Sequence, residues 1–245
     1  NIALEEEIEA RTKELEQANQ TLFTLNTVWD MMNSSQPLSS LLDKIVTVLH
    51  EDMNYTSASV FKLEKDNNGE QYLVYKALSD EKNIGKIFTL MNKSMESYHI
   101  PYLQNSIIAK SINERKLYST PDIIGMARMC FPNVPDEQLK EILQISKSKI
   151  CTVVPLHGEK ENFGCLIVAS DRDNVTDTEN NFLTLYAGQI GLAITVSDLF
   201  EEVKKQAITD PLTGLYNRRY FENNIVKEAE RALRLKQPFS VISMD

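Results

Sequence analysis

Apolar residues recur at heptad spacing along the first segment: Leu4, Ile8, Leu15, Ala18, Leu22, Leu25, Trp29 and Met32, with Arg11 breaking the seam. Glu and Lys fill the flanks, and the period is nearer about 3.5 than 3.6 residues. So narrow a stripe needs a partner helix to bury it, which predicts parallel dimerisation; the other reading is an amphipathic helix lying on its own domain. Asn33-Ser34-Ser35-Gln36-Pro37 breaks this pattern with capping residues and a proline suited to a helix start. A helix over 38–52 follows, with Leu41, Leu42, Ile45, Val46 and Leu49 on one side. Period two then predicts a strand over 56–64, a turn at Asp66-Asn67-Asn68-Gly69, a returning strand over 71–78 and a further strand at 86–90. Residues 92–149 are less regular, with short helices expected at 106–114 and at 136–146. Strands at 150–156 and 163–170 form a hairpin around a loose polar loop.

Asp177 and Thr178 are expected to cap a long helix, with Glu179 in its positive first turn. It carries Phe182, Leu185, Leu192, Val196, Leu199 and Val203 at heptad spacing, Gln189 and Gln206 at seam positions, and no proline before Pro211. Such a helix outlasts a domain face, so its second half is expected to leave the domain. The order of elements is that of one α+β body between two heptad helices, without internal repeats.

Composition narrows the function. The chain has 245 residues, 42% hydrophobic and 25% charged, which suits one sizeable domain with attachments. A formal net charge of −9 without basic clusters argues against nucleic acid as a partner. Cys130, Cys151 and Cys165 are odd in number and lack CxxC spacing, which points to free thiols in a reducing, cytoplasmic compartment. His50, His99 and His157 show no metal-ligand spacing. No apolar run approaches the roughly 18–20 residues that cross a bilayer, and no charged-then-apolar leader opens the chain. No membrane is therefore expected within these residues, with attachment of the parent protein upstream left open. Both ends are expected to fall inside elements.

The segments Thr56-Ser57-Ala58-Ser59-Val60-Phe61-Lys62-Leu63, Ile150-Cys151-Thr152-Val153-Val154-Pro155-Leu156 and Phe163-Gly164-Cys165-Leu166-Ile167-Val168, in this order and spacing, resemble GAF domains over about residues 38–200. The resemblance implies an antiparallel sheet with the first and last helices on one face. The other face, roofed by the irregular middle segment, would hold a small ligand. The string Asp210-Pro211-Leu212-Thr213-Gly214-Leu215-Tyr216-Asn217-Arg218-Arg219 is similar to the D-x-L-T-x-L-x-N-R-R opening of GGDEF diguanylate cyclases at every fixed position. Its chemistry is that of a sharp turn. Asp210 can cap the following helix and pair with Arg218 or Arg219, Pro211 stops the incoming helix, and Gly214 and Asn217 tolerate positive φ. Leu212, Thr213 and Leu215 complete the motif.

The resemblances imply an α+β, GAF-type antiparallel sheet with helices on both faces, flanked by N- and C-terminal coiled-coil helices. The expected plan is a coiled-coil signalling helix at 1–35, the GAF sensor at 36–198, a linker helix at 199–209 and the truncated start of a GGDEF domain at 210–245. A helix over 221–235 and a strand over 238–245 would open that domain, and Asp245 would match its Mg²⁺ ligand, the metal assisting departure of pyrophosphate from GTP in the intact cyclase. The second metal carboxylate and the glycine-rich GTP loop lie beyond these residues, so this segment alone is expected to be inactive, and no cofactor is assigned to it.

For the sensor, strand alternation places Ser57 and Ser59 on one face and Ala58 and Val60 on the other, with Thr152 alternating between Cys151 and Val153. Ser106, Ile108, Ala109 and Phe131 fall where relatives contact a ligand. The Asn-Lys and Phe of the cyclic-nucleotide pattern are missing around 169–179, where Val175 stands for the Phe; no cysteine sits in a bilin-anchoring context; and His99 is a weak haem candidate. A cyclic nucleotide remains the leading ligand, in a homodimer that sets the pairing of two cyclase domains for cyclic di-GMP synthesis. The alternative is a ligand-free scaffold relaying an upstream signal. No nucleophile–base or paired-carboxylate constellation supports an enzyme site within 38–200.

Overall fold

The computed structural model describes residues 38–79, 98–159 and 161–242, with Arg11, Gly85, Lys86, Phe88, Thr89, Met91 and Ser94 besides. The heptad segment 1–35 and the break at 33–37 lie outside the described residues, apart from Arg11, which is helical. The chain divides into two compact units, Asn1–Thr195 and Val196–Asp245.

The first unit opens with α1 (Leu38–Glu51), whose Leu42, Ile45, Val46 and Leu49 form one buried stripe. The hairpin β1 (Ser57–Lys65) and β2 (Gln71–Leu78) turns where expected. Asp66 Oδ1 accepts from the Asn68 and Glu70 amides at 2.8 and 2.9 Å, and Gly69 supplies φ +85°. Then come β3 (His99–Pro101), α2 (Ile107–Glu114), β4 (Tyr118–Thr120), α3 (Ile123–Cys130), α4 (Asp136–Ser146), β5 (Ile150–His157) and β6 (Asn162–Ser170). The strands form one antiparallel sheet in the order β3-β2-β1-β6-β5-β4. This is the α+β fold, with helices on both faces, that the sequence predicts.

The described residues show no strand at 86–90, where one is expected: Gly85, Lys86, Phe88, Thr89 and Met91 are helical. Thr89 Oγ1 donates back to the Gly85 carbonyl at 2.9 Å, and Phe88 and Met91, three residues apart, both pack on the core. Over so short a window the helical and strand periods are hard to tell apart. β3 takes the sheet edge instead, while α3 and β4 have no counterpart in the sequence pattern.

Two cores lie on opposite sides of the sheet. Beneath it, α1 and α5 (Asp177–Ile208) bury Leu42, Ile45, Leu49, Leu183, Ala187, Ile190 and Ile194 against Ala58, Val60, Val154, Leu156 and Leu166. Above it, α2, α3 and α4 close over Phe61, Leu73, Ile100, Val153 and Cys165. The cap of α5 is Thr176 rather than Asp177 or Thr178. Thr176 Oγ1 accepts from the Glu179 amide (3.2 Å), and Glu179 Oε2 accepts from the Thr176 amide (3.0 Å), a reciprocal capping box. By length and composition α5 would suit a membrane span, a correction to the expectation from apolar runs; its stripe from Leu183 to Ile194 is nonetheless spent on the sheet.

In the second unit α5 ends at Ile208 and α6 spans Arg218–Leu235. Residues 238–242 form no strand, unlike the expectation for 238–245, because no described neighbour offers a ladder to pair with; 243–245, and with them Asp245, lie outside the described residues.

Candidate functional site

On β1 the alternation sends Ala58 and Val60 down to the helices and Ser59 and Phe61 up towards the roof. Ser57 shares the face of Ser59, and Ser59 is buried. Above them, Ser106 is the N-cap of α2: its Oγ accepts from the Ala109 amide at 3.1 Å, satisfying one of the open N–H groups of that helix end. Ile108 and Ala109 follow in the first turn and are buried. Phe131 ends α3, stacked on Tyr98 (centroids 5.8 Å, 19°) and edge-on to Phe88 (5.7 Å). Ile108, Ala109 and Phe131 therefore belong to the upper core, Ser106 caps the helix that carries two of them, and Ser57 and Ser59 share the sheet face that the roof covers. Thr152 does not share that face. Its neighbours Cys151 and Val153 face the roof, so Thr152 shares the lower face with Val154, and its hydroxyl bonds Ser119 Oγ at 2.9 Å.

Sequence reasoning misses the aromatic wall of this site. Phe61 and Tyr75 lie 4.4 Å apart and Tyr75 meets Phe88 edge-on at 5.8 Å. The Tyr98 hydroxyl donates to the Cys130 carbonyl (2.9 Å), and the Tyr102 hydroxyl to Asn113 Oδ1 (3.0 Å). The wall comes from β1, β2, the 88–98 stretch and α3; aromatic residues so scattered along the chain leave no motif. All three cysteines also lie in this core. Burial pushes the Cys130 and Cys151 thiols up to about 12, and Cys165 well above its ordinary value, so all three stay protonated and weakly nucleophilic. Burial likewise raises Tyr75 well above the usual phenol range. With its aromatic rings and protonated thiols, this core suits planar, largely uncharged surface held by a few hydroxyls. Among the described residues no group of three His, Cys, Asp or Glu could hold a metal ion.

The turn in the second unit is built as follows. Asp210 Oδ1 accepts from the Leu212 amide (3.1 Å), the Thr213 amide (2.9 Å) and Thr213 Oγ1 (2.9 Å), which holds its carboxyl below the ordinary carboxylate range. Gly214 adopts φ +71°, and the Asp210 amide donates to the Leu215 carbonyl (2.8 Å). Asp210 thus closes the turn, while Asn217, at φ −74° and not in the left-handed region, caps α6 by accepting from the Tyr220 amide (3.0 Å). Asn217 also donates backwards: Nδ2 to the Ala207 carbonyl (2.8 Å) and its amide to the Ile208 carbonyl (2.8 Å). One residue closes α5 and opens α6. Arg218 pairs forward with Glu222 at 2.7 Å rather than with Asp210, and Arg219 is exposed.

The family model of the GAF domain matches residues 37–194, and that of the diguanylate cyclase GGDEF domain matches residues 207–245. No curated protein matches the chain. Among solved structures, the GAF domain of a phosphoenolpyruvate-protein phosphotransferase from Coxiella burnetii is similar over 76% of this chain and 98% of its own, with 15% identity and a TM-score of 0.50. The corresponding domain from Acinetobacter covers 74% and 96%, with 15% identity and a TM-score of 0.49. A phycocyanobilin-bound GAF domain from a cyanobacterial phytochrome covers 74% and 96%, at 13% identity and a TM-score of 0.48. With its six-stranded antiparallel sheet roofed on one side and packed on α1 and α5 on the other, and with the GAF model matching residues 37–194, the chain belongs to the GAF domain family, while its residues 207–245 are similar to the diguanylate cyclase GGDEF domain.

Proposed function

We propose that this chain is the regulatory part of a diguanylate cyclase, in which a small ligand held under the GAF roof changes how α5 presents the cyclase domains to one another. The observation that carries the reading is the position of α5: the helix that floors the GAF sheet ends at Ile208, two residues before the GGDEF motif begins. Residues 183, 187, 190 and 194 bury one stripe of α5, while Leu192, Leu199 and Val203 are 40%, 55% and 62% exposed on another. That second stripe repeats at heptad spacing and is the seam we assign to a second copy of the chain. Two cyclase domains, each holding one GTP with Mg²⁺, would meet across such a dimer and form cyclic di-GMP. A shift in α5 between two packings of similar energy would open or close that meeting.

For the ligand we propose a cyclic nucleotide. Its base would lie on the Tyr98–Phe131 aromatic wall and its phosphate at the Ser106-capped start of α2, where amides and the helix dipole favour an anion. A thermal-shift panel of cyclic nucleotides on residues 1–245 tests this. A binder at a hundredfold excess over its Kd adds about 2.7 kcal/mol of stability, and a Phe131→Ala variant should lose that response. No shift with any cyclic nucleotide would leave the second reading, a ligand-free relay scaffold. That reading is favoured by the mutual packing of Phe88, Tyr98 and Phe131, whose rings fill the upper core themselves.

A further inference from the structure

The six-stranded sheet separates the roof from α5, so a signal from one face to the other must cross it or go round its end. The β5–β6 hairpin provides a way round. From the roof side, Arg115, the left-handed C-cap of α2 (φ +53°), lays its guanidinium on the hairpin tip. Nε donates to Asn162 Oδ1 and Nη1 to the Glu159 carbonyl, each at 3.0 Å. The same end of α2 is fixed to β5 by Ser111, fully buried, whose Oγ donates to the Lys116 carbonyl (2.8 Å) and the Val153 carbonyl (3.3 Å). From the floor side, α5 meets the same hairpin without any spacing side chain. A Cβ placed on Gly191 would stand 2.6 Å from the His157 carbonyl oxygen, and one on Gly158 would stand 3.5 Å from Thr195 Oγ1. Thr195 Oγ1 in turn donates to the Gly191 carbonyl (2.9 Å).

We propose that this hairpin tip is the mechanical link between roof and output helix: Arg115 transmits the position of α2 to residues 157–162, and the His157 carbonyl seated on Gly191 passes it to α5. Close backbone seating suits this role because no side chain between the two can yield by changing rotamer. Gly191 is needed there for space. At the exposed Gly188 a Cβ would meet nothing within 4 Å, so the close approach belongs to Gly191 and not to helix glycines in general. Arg115 is a positioning residue. It is exposed and the bonds of its guanidinium go to the hairpin tip, so its replacement takes no buried side chain from either core. The link deepens the regulatory reading above and rests on it for its purpose, but its test needs no ligand.

Amide hydrogen exchange on residues 1–245 provides that test, comparing wild type with Arg115→Ala, Asn162→Ala and the double variant, alongside thermal melts. Arg115→Ala is expected to raise exchange about threefold, the worth of a hydrogen bond on an exposed loop, both in the 157–163 hairpin and in the 190–196 segment of α5, with α1 and β1 unchanged. Asn162→Ala should do the same, and the double variant should add little, because the two side chains share one bond. Linkage also demands the reverse effect: Gly191→Ala, which displaces the His157 carbonyl, should speed exchange at the C-terminal end of α2. If Gly191→Ala fails to fold, the arginine series decides alone. Faster exchange confined to the hairpin, with α5 unchanged, would overturn the link. So would additive effects in the double variant. A failed thermal-shift panel touches only the ligand, whereas a silent α5 touches only this route.

Discussion

Arg172 shows how much one side chain can organise. Its guanidinium pairs with Glu179 at the start of α5, donates to the Met53 carbonyl (3.0 Å) and lies 5.2 Å from the centre of the Tyr55 ring. It thereby ties the end of β6 to the α1–β1 connection and to the capping box. Replacing it with Ala leaves the Met53 carbonyl without this donor and should cost about 1 kcal/mol, read as a lower midpoint in urea with an unchanged slope. The three cysteines give a second expectation at this scale. Thiols pushed up by burial should resist a thiol reagent at pH 8 in the native protein and react together once it unfolds; fast labelling of any one in the folded state would contradict their burial. Residue-level reading of the sequence does best where alternation alone decides. Ser59 and Val60 are sent to opposite faces of β1 by counting. The face of Thr152 depends on which neighbour points to the roof, and only the sheet register supplies that.

Elements are legible where a period runs long enough. The helix at 136–146 and the strand at 71–78 are found with the expected bounds, and α1 differs by one residue at its end. The long helix illustrates a subtler limit. Its heptad stripe through Leu185, Leu192 and Leu199 is visible in the spacing, but the stripe that carries the fold is a different one, through Leu183, Ala187, Ile190 and Ile194. A helix apolar on two faces presents both patterns, and spacing does not say which is spent inside. The two stripes should separate experimentally. Leu183→Ala, at a fully buried site, is expected to cost about 3 kcal/mol, whereas Leu192→Ala should stay within about 0.5 kcal/mol in the monomer. Equal losses at the two positions would mean that Leu192 is buried in the folded chain.

At the scale of the molecule, the order of modules is plain from motifs. The upper core is less so, because its aromatic rings come from segments with no shared spacing and from the 86–90 stretch, whose pattern imitates a strand. The dimer seam proposed on α5 would have a direct consequence in solution. Sedimentation of residues 1–245 should show mass rising with concentration, and exchanging Leu192 and Leu199 for Glu should abolish that rise while the fold, followed by circular dichroism, persists. Under the proposed function, the same pair of changes in the full-length protein should depress the rate of cyclic di-GMP formation; an unaltered rate would remove the seam from regulation.

Asn217 holds the last carbonyls of α5 with one set of bonds and the first amides of α6 with another. A joint keyed in this way has little play. A turn of the incoming shaft cannot be absorbed as slack between the two helices and must be handed on, so the joint should favour fidelity of transmission over freedom of movement.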